Sequence, residues 1–196
     1  MSDLRREIGR KAFHMLLLVY WGAFFFFGWP RIVYWMGGWL LIVFIGETAR
    51  LRLPAIERVL VGIFEGMIRE AELRHYSGIF HSTTGCLVAM LISGGDPVIA
   101  GAAIGSLAFG DAAAALIGKS YGRTKILGGQ KSLEGSLACF AACFAVASGA
   151  GVRPGVALVS ALAASAVELL PTTGFFNDNL WMPVAAAVVL RVLGVR

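Results

Sequence analysis

Seven apolar stretches follow one another along the chain, and most of them are long enough to be read as membrane-spanning helices. They cover residues 12–28, 32–48, 79–95, 97–117, 133–150, 154–170 and 179–194. A transmembrane helix needs about 17 to 25 mostly apolar residues. The pattern therefore predicts an all-α integral membrane protein with about seven transmembrane helices, in a single polytopic domain over residues 1–196.

Residues 54–76 have a different, amphipathic pattern. Apolar side chains recur at helical spacing from Ile56 to Ala71, and charged side chains that include Arg69 and Glu72 lie on the opposite face. This pattern is typical of a helix that lies in the membrane interface, and we predict such a helix on the cytoplasmic side. An ordinary amphipathic connector with ion pairs along one face gives the same pattern.

Composition agrees with a membrane protein and sets its orientation. Hydrophobic residues make up 58% of the chain and charged residues 15%, whereas a soluble domain has about 25% charged residues. If the N-terminus is cytoplasmic, most of the 17 Lys and Arg residues fall on the cytoplasmic side, as the positive-inside rule requires. We therefore predict N-inside and C-outside, and the net charge of +5 needs no nucleic-acid partner.

Ionisable residues within membrane segments are costly, and each is a functional candidate for that reason. Four carboxylates lie in the predicted spans, namely Glu47, Asp111, Glu134 and Glu168. With the N-terminus inside, all four are at the cytoplasmic ends of their spans. We expect them to be able to meet at one site on that face.

The segment that follows Asp111 places small residues on the same helical face as its carboxylate. Ala115, Gly118 and Gly122 lie on this face, so a ligand or another backbone can come close to Asp111. Close helix packing through small residues is the competing interpretation.

A glycine-rich basic loop comes next and leads into the fifth span. Lys125 and Lys131, followed by Ser132, Glu134 and Gly135, combine cations with backbone N–H groups at a helix start, which favours phosphate binding. A positive-inside loop and helix capping by Ser132 explain the same residues without a ligand.

Two further groups of polar residues complete the candidate chemistry. Glu168 and Asp178 offer, with Asp111, oxygen ligands for Mg²⁺, which commonly bridges nucleotide phosphates. Arg10, Lys11 and His14 lie at the cytoplasmic edge of the first span. They can clamp a phosphate or take part in proton transfer, although a histidine is often simply tolerated at such a boundary.

Together these motifs resemble the CTP-dependent polyprenol kinase family, which groups dolichol kinase, phytol kinase and the yeast-type diacylglycerol kinase. The resemblance covers most of the chain. It is carried by Arg10-Lys11-Ala12-Phe13-His14, Glu47 with Arg50, Arg69 with Glu72, Gly110-Asp111 through Gly118 and Gly122, Lys125, Lys131-Ser132-Leu133-Glu134-Gly135-Ser136, Glu168, and Asp178-Asn179-Leu180 with Pro183.

The resemblance implies transfer of the γ-phosphoryl group of CTP to the hydroxyl of a membrane lipid alcohol, either an isoprenoid alcohol or diacylglycerol, with release of CDP. It implies Mg²⁺ or another divalent cation as cofactor and an active site that faces the cytoplasm. The implied catalytic residues are Asp111, Arg10, Lys11 and His14, and the implied metal ligands are Asp111, Glu168 and Asp178. The implied nucleotide-binding residues are Gly118, Gly122, Lys125, Lys131, Ser132, Glu134 and Gly135, and Glu47, Arg50, Arg69, Glu72 and Asn179 are further candidates.

Two other functions compete with this hypothesis. A CTP-using phosphatidate cytidylyltransferase or CDP-archaeol synthase has similar Asp-Ala-Gly and Lys-Glu-Gly elements. This chain, however, ends with Asp178-Asn179-Leu180 and lacks the Gly-Gly-x-x-Asp-Arg-x-Asp ending of the bacterial cytidylyltransferases. A transporter should carry polar groups through the middle of its spans, whereas the charged residues here lie near one face. A homo-oligomer is compatible with the sequence.

Overall fold

The computed structural model describes residues 3–63, 73–129, 131–170 and 176–195. These residues form an all-α fold apart from one short β-hairpin, which confirms the all-α part of the predicted fold class. The helices are α1 (Asp3–His14), α2 (Leu18–Phe27), α3 (Arg31–Arg52), α4 (Pro54–Ile63), α5 (Gly78–Ser93), α6 (Pro97–Gly105), α7 (Asp111–Tyr121), α8 (Leu133–Gly149), α9 (Pro154–Leu169) and α10 (Asp178–Leu193). The hairpin pairs β1 (Lys125–Ile126) with β2 (Lys131–Ser132) in antiparallel register.

The apolar stretches correspond to helices, but the first one differs from its prediction. Helix begins at Asp3 instead of residue 12, and a 3₁₀ turn over Met15–Leu17 separates α1 from α2. Within the described residues, two helical stretches are long and apolar enough to cross a membrane, namely Arg31–Arg52 and the continuous stretch Pro97–Tyr121. Helices α5, α8 and α9 are apolar but shorter.

Small side chains let the helices of the core pack closely. Helix α10 packs against α5, α6 and α9, and α8 packs against α7 and α9. Their contacts include the fully buried residues Ala89, Ala103, Cys139 and Ala186, and small residues allow the backbones of neighbouring helices to approach closely. Helix α3 lies at the edge of this core: Ile32 and Met36 are buried in it, but only 11% of the most apolar part of the helix is buried.

Gly85 shows how tight this packing is. A Cβ atom at this position would lie 2.6 Å from the carbonyl oxygen of Leu180 and 2.9 Å from that of Asn179. These are backbone atoms of α10, which cannot move aside as a flexible side chain can. The close contact between α5 and α10 therefore depends on glycine.

We expect Gly85→Ala to destabilise the protein by about 1–3 kcal/mol, the usual cost of overpacking a core. The measurement is the thermal unfolding midpoint of the purified protein in detergent. Gly38→Ala on α3 is the matched control, because a Cβ there meets no atom within 4 Å and alanine is the better helix former. Equal midpoints for Gly85→Ala and the wild type would contradict this account of the α5–α10 contact.

The predicted interfacial helix is only partly described. Helix α4 begins at Pro54, as expected, and continues to Ile63. The candidates Arg69 and Glu72 lie outside the described residues. The prediction of a helix as far as Tyr76 was wrong, because residues 73–77 form turns and extended backbone.

Side chains of α3 explain why residues 73–77 are not helical. The fully buried Arg50 guanidinium donates hydrogen bonds to the carbonyl oxygens of Leu73 and His75, at 3.4 and 2.6 Å. Glu47 accepts a hydrogen bond from the backbone N–H of Ser77 at 2.8 Å and also pairs with Arg50. These backbone groups are used by α3, so they do not continue a helix.

Candidate functional site

A polar cavity of about 650 Å³ lies at one end of the helix bundle. It is formed where α1, α7, the hairpin, the start of α8, the end of α9 and the start of α10 come together. The lining residues are Glu7, Arg10, Asp111, Ala114, Ala115, Gly118, Lys119, Lys125, Leu127, Lys131, Ser132, Gly135, Ser136, Glu168, Leu169 and Asp178. Nine of these, Arg10, Asp111, Gly118, Lys125, Lys131, Ser132, Gly135, Glu168 and Asp178, are predicted site residues.

The position of Asp111 follows from a local change in helix geometry. A π-helical turn over Ser106–Gly110 joins α6 to α7, and Asp111 is the first residue after it. Such turns are often found at functional sites. A Cβ on Gly110 would lie 2.5 Å from Cys143 Sγ, so glycine allows this turn to pack directly against α8. That contact holds the buried Asp111 at the cavity wall.

Helix α1 supplies two partners for Asp111. The Lys11 ammonium donates a hydrogen bond to Asp111 Oδ2, and both side chains are buried. His14 Nε2 lies 3.5 Å from the same oxygen, where it forms an ion pair only when it is protonated. Three predicted catalytic residues, two from α1 and one from α7, therefore meet. A carboxylate in this position can accept a proton from a substrate or stabilise a neighbouring positive charge.

Glu7 was not predicted as a site residue, although it lines the cavity. Its carboxylate is 3% exposed, pairs with Arg10, and lies 2.7 Å from Lys119 Nζ on α7. The signal in the sequence was the i,i+3 spacing of Glu7 and Arg10, which has meaning only if the helix begins before residue 12. Glu7 orients two cations from different helices at the cavity wall.

Lys131 joins the ends of α9 and α10. Its Nζ lies 2.5 Å from Glu168 Oε1 and 3.8 Å from Asp178 Oδ2. Both carboxylates are buried, and Glu168 Oε2 has no hydrogen-bond partner among the described residues. Two carboxylates therefore face one cation, and one of their oxygens has no hydrogen-bond partner within the described part of the chain.

This pair fits a magnesium ion, although the described residues contain no cluster of three or more His, Cys, Asp or Glu side chains that could hold a metal. Mg²⁺ usually keeps several waters and uses one or two carboxylates together with substrate phosphates. Glu168 and Asp178 meet that requirement, and Glu168 Oε2, which has no hydrogen-bond partner among the described residues, is a suitable metal ligand. Asp111 is paired with Lys11, and its role as a third ligand stays a prediction.

The glycines beside the cavity serve packing as well. A Cβ on Gly135 would lie 2.8 Å from the Ala114 carbonyl oxygen and 3.1 Å from Gly118 Cα, so α7 and α8 are in backbone contact. Ser132 caps α8 by accepting a hydrogen bond from the Gly135 N–H at 3.1 Å. Gly122 does not line the cavity, and a Cβ there would lie 2.6 Å from Ser132 Oγ. Both interpretations of these residues, packing and proximity to a ligand, are therefore compatible with their positions.

Several predicted site residues do not line the cavity. Glu134 accepts hydrogen bonds from the Thr124 backbone N–H at 3.0 and 3.2 Å and holds the base of the hairpin. Glu47 and Arg50 belong to the contact with residues 73–77. Asn179 is in the first turn of α10 but is not a lining residue. Of the four carboxylates within the predicted spans, only Asp111 and Glu168 share this cavity.

A second, apolar groove of about 360 Å³ runs between α9 and α10. It is lined by Ala163, Val167, Leu170, Phe176, Trp181, Val184, Ala185, Val188 and Val189. The end of α9 separates it from the polar cavity, because Glu168 and Leu169 face the cavity while Val167 and Leu170 face the groove.

Comparisons with protein-family models, curated proteins and solved structures found no match to this chain.

Proposed function

We propose that this chain is a CTP-dependent lipid kinase of the polyprenol kinase type, with an isoprenoid alcohol or diacylglycerol as acceptor. The observation that carries the proposal is the meeting of Arg10, Asp111, Lys131, Glu168 and Asp178 in one polar cavity. These residues come from five segments of the chain. Phosphoryl transfer needs mainly positioning and neutralisation of phosphate charge, and these residue types supply both.

The charges of the cavity suit a nucleotide that arrives with a cation. Four carboxylates and four basic side chains line it, namely Glu7, Asp111, Glu168 and Asp178 with Arg10, Lys119, Lys125 and Lys131. Their formal charges cancel. The phosphates of CTP must therefore displace the carboxylates as partners of the basic side chains. A cation that binds the displaced carboxylates favours this step.

Each group of residues has a role in this proposal. Asp111 accepts the proton of the lipid hydroxyl, and Lys11 and His14 hold its carboxylate in place. Lys125 and Lys131 bind the phosphates of CTP. Glu168 and Asp178 would hold Mg²⁺, which neutralises phosphate charge when bound.

The proposal includes seven membrane spans, with the N-terminus and the polar cavity on the cytoplasmic side. Helices α5 and α9 have 16 residues and α8 has 17, which corresponds to about 24–26 Å at the rise of an α-helix. A hydrocarbon core of about 30 Å is slightly thicker. We infer that the bilayer thins locally or that flanking polar residues reach to its surface.

The apolar groove supports an acceptor that has a hydrocarbon tail. The groove and Glu168 lie on opposite sides of the end of α9. A lipid whose tail lies between α9 and α10 can therefore place its hydroxyl near the polar cavity. Its lining residues are apolar, which suits a tail that offers no hydrogen bonds.

We expect Ala185→Phe, which fills the groove, to raise the KM for a long-chain alcohol about tenfold, equivalent to about 1.4 kcal/mol. The KM for CTP should change little, because Ala185 does not line the polar cavity. Ala141→Phe, at an exposed position of α8 that lines neither the cavity nor the groove, is the control. An unchanged acceptor KM in Ala185→Phe would place the tail elsewhere.

The test of the function is a reaction with purified protein in detergent, Mg²⁺ and CTP labelled at the γ-phosphate. The acceptors are phytol, a long polyprenol, diacylglycerol and phosphatidate, each supplied alone. Labelled lipid monophosphate with CDP would support the kinase and identify its acceptor. Release of pyrophosphate with formation of a CDP-lipid would replace the kinase by a cytidylyltransferase, and no use of CTP with any acceptor would overturn the proposal.

A further inference from the structure

The carboxylates of Glu168 and Asp178 form a buried acidic pair whose charge needs compensation. Their side chains are 5% and 8% exposed. A buried carboxylate is costly unless it is paired and hydrogen-bonded. Lys131 supplies one positive charge between them, and the second oxygen of Glu168 still lacks a partner among the described residues.

Lys131 is able to leave this position. It belongs to β2, a strand of two residues in the loop between α7 and α8, and its side chain is 23% exposed. It also lines the polar cavity, so its ammonium can move towards a ligand there without unfolding a helix. The carboxylates, in contrast, are held at the ends of two packed helices.

We propose that Lys131 is an internal counter-cation that keeps a divalent cation out of the Glu168–Asp178 pair in the ligand-free protein. An ammonium 2.5 Å from Glu168 Oε1 occupies an oxygen that a metal ion would need and repels a second cation. The pair becomes available only when Lys131 moves away. The inference rests on the proposed function in one respect, since a nucleotide phosphate is the group that would draw the lysine away.

The consequence is an order of binding. A free divalent cation binds weakly to the ligand-free protein, although two buried carboxylates are present. Movement of Lys131 to an incoming phosphate frees both carboxylates at the time when phosphate oxygens can complete the ligand set. Metal and nucleotide then bind together.

The experiment measures binding of Mn²⁺ alone, by electron paramagnetic resonance, to the purified protein in detergent without nucleotide. We expect Lys131→Met to bind Mn²⁺ at least tenfold more tightly than the wild type, and Lys131→Arg to stay as weak as the wild type. The double variant Lys131→Met/Glu168→Gln should lose the gain. Lys131→Gln has the same expected result and replaces Lys131→Met if the methionine variant fails to fold.

Lys125→Met is the matched control. Lys125 lies on the other strand of the hairpin and lines the same cavity, but it has no ion pair with Glu168 or Asp178 in the described residues, so its removal tests loss of positive charge alone. We expect less than a threefold change in Mn²⁺ affinity. Equal gains for both variants, or no gain for Lys131→Met and Lys131→Gln, would overturn the inference. Because no nucleotide is present, this result is independent of whether the protein consumes CTP.

Discussion

Asp111→Asn should lower the rate of the proposed CTP-dependent lipid phosphorylation by about 10²- to 10⁴-fold, the range expected for loss of a general base. Asparagine has nearly the same shape as aspartate and still accepts a hydrogen bond from Lys11, but it does not take up the proton of the acceptor hydroxyl. The expected effect is on kcat, with little change in the KM for CTP. It is measured by single-acceptor kinetics with γ-labelled CTP.

A control for this prediction must carry the same chemical change away from the cavity. Glu57→Gln on α4 meets that need, because Glu57 does not line the cavity. It should keep wild-type rates. Size-exclusion profiles and thermal midpoints of the Asp111→Asn protein establish that it is folded. Retention of more than a third of the wild-type kcat by Asp111→Asn would remove Asp111 from the catalytic role.

Lys11→Met should destabilise the protein by about 3–5 kcal/mol, the usual cost of removing one partner of a buried ion pair. Lys11 and Asp111 side chains are 5% and 9% exposed. Methionine fills the volume of lysine but leaves the buried carboxylate without the ammonium. The thermal unfolding midpoint in detergent should fall accordingly.

The double variant Lys11→Met/Asp111→Asn separates stability from catalysis. Removing both charges should restore most of the stability lost in Lys11→Met, because residue 111 then carries no carboxylate charge that needs the Lys11 ammonium. Phosphorylation should stay as low as in Asp111→Asn. A double variant as unstable as Lys11→Met would show that the charge pair is not the cause of the loss.

Local patterns in the sequence predicted most of the helices for a clear reason. Apolar runs bounded by Gly, Pro and charged residues determine where a helix begins and ends, and α8, for example, begins after the capping residue Ser132, at Leu133, as expected. The start of the first helix was missed because α1 is polar. Its helical residues gain their partners from α7, through Glu7 with Lys119 and Lys11 with Asp111.

The site could be predicted as a set of residues but not as an arrangement. Ionisable residues near predicted membrane segments identify candidates one at a time, because they are costly there, and this is how Asp111, Glu168 and Asp178 were found. Glu47 has the same local signal, yet it pairs with Arg50 and holds residues 73–77. Local sequence does not distinguish Glu47 from Glu168, because both are carboxylates near the end of an apolar helix.

The sequence by itself determined the all-α fold, the identity of most charged residues around the cavity and the small residues along the α7–α8 contact. Only the tertiary structure decided that Lys131 faces Glu168 and Asp178, that Glu7 joins α1 to α7, and that α9 separates a polar cavity from an apolar groove. The physical reason is range. Helix formation depends on neighbours within a few residues. Ion pairs across the cavity depend instead on how α7, α8, α9 and α10 pack, and that packing is determined jointly by side chains that are distant in sequence.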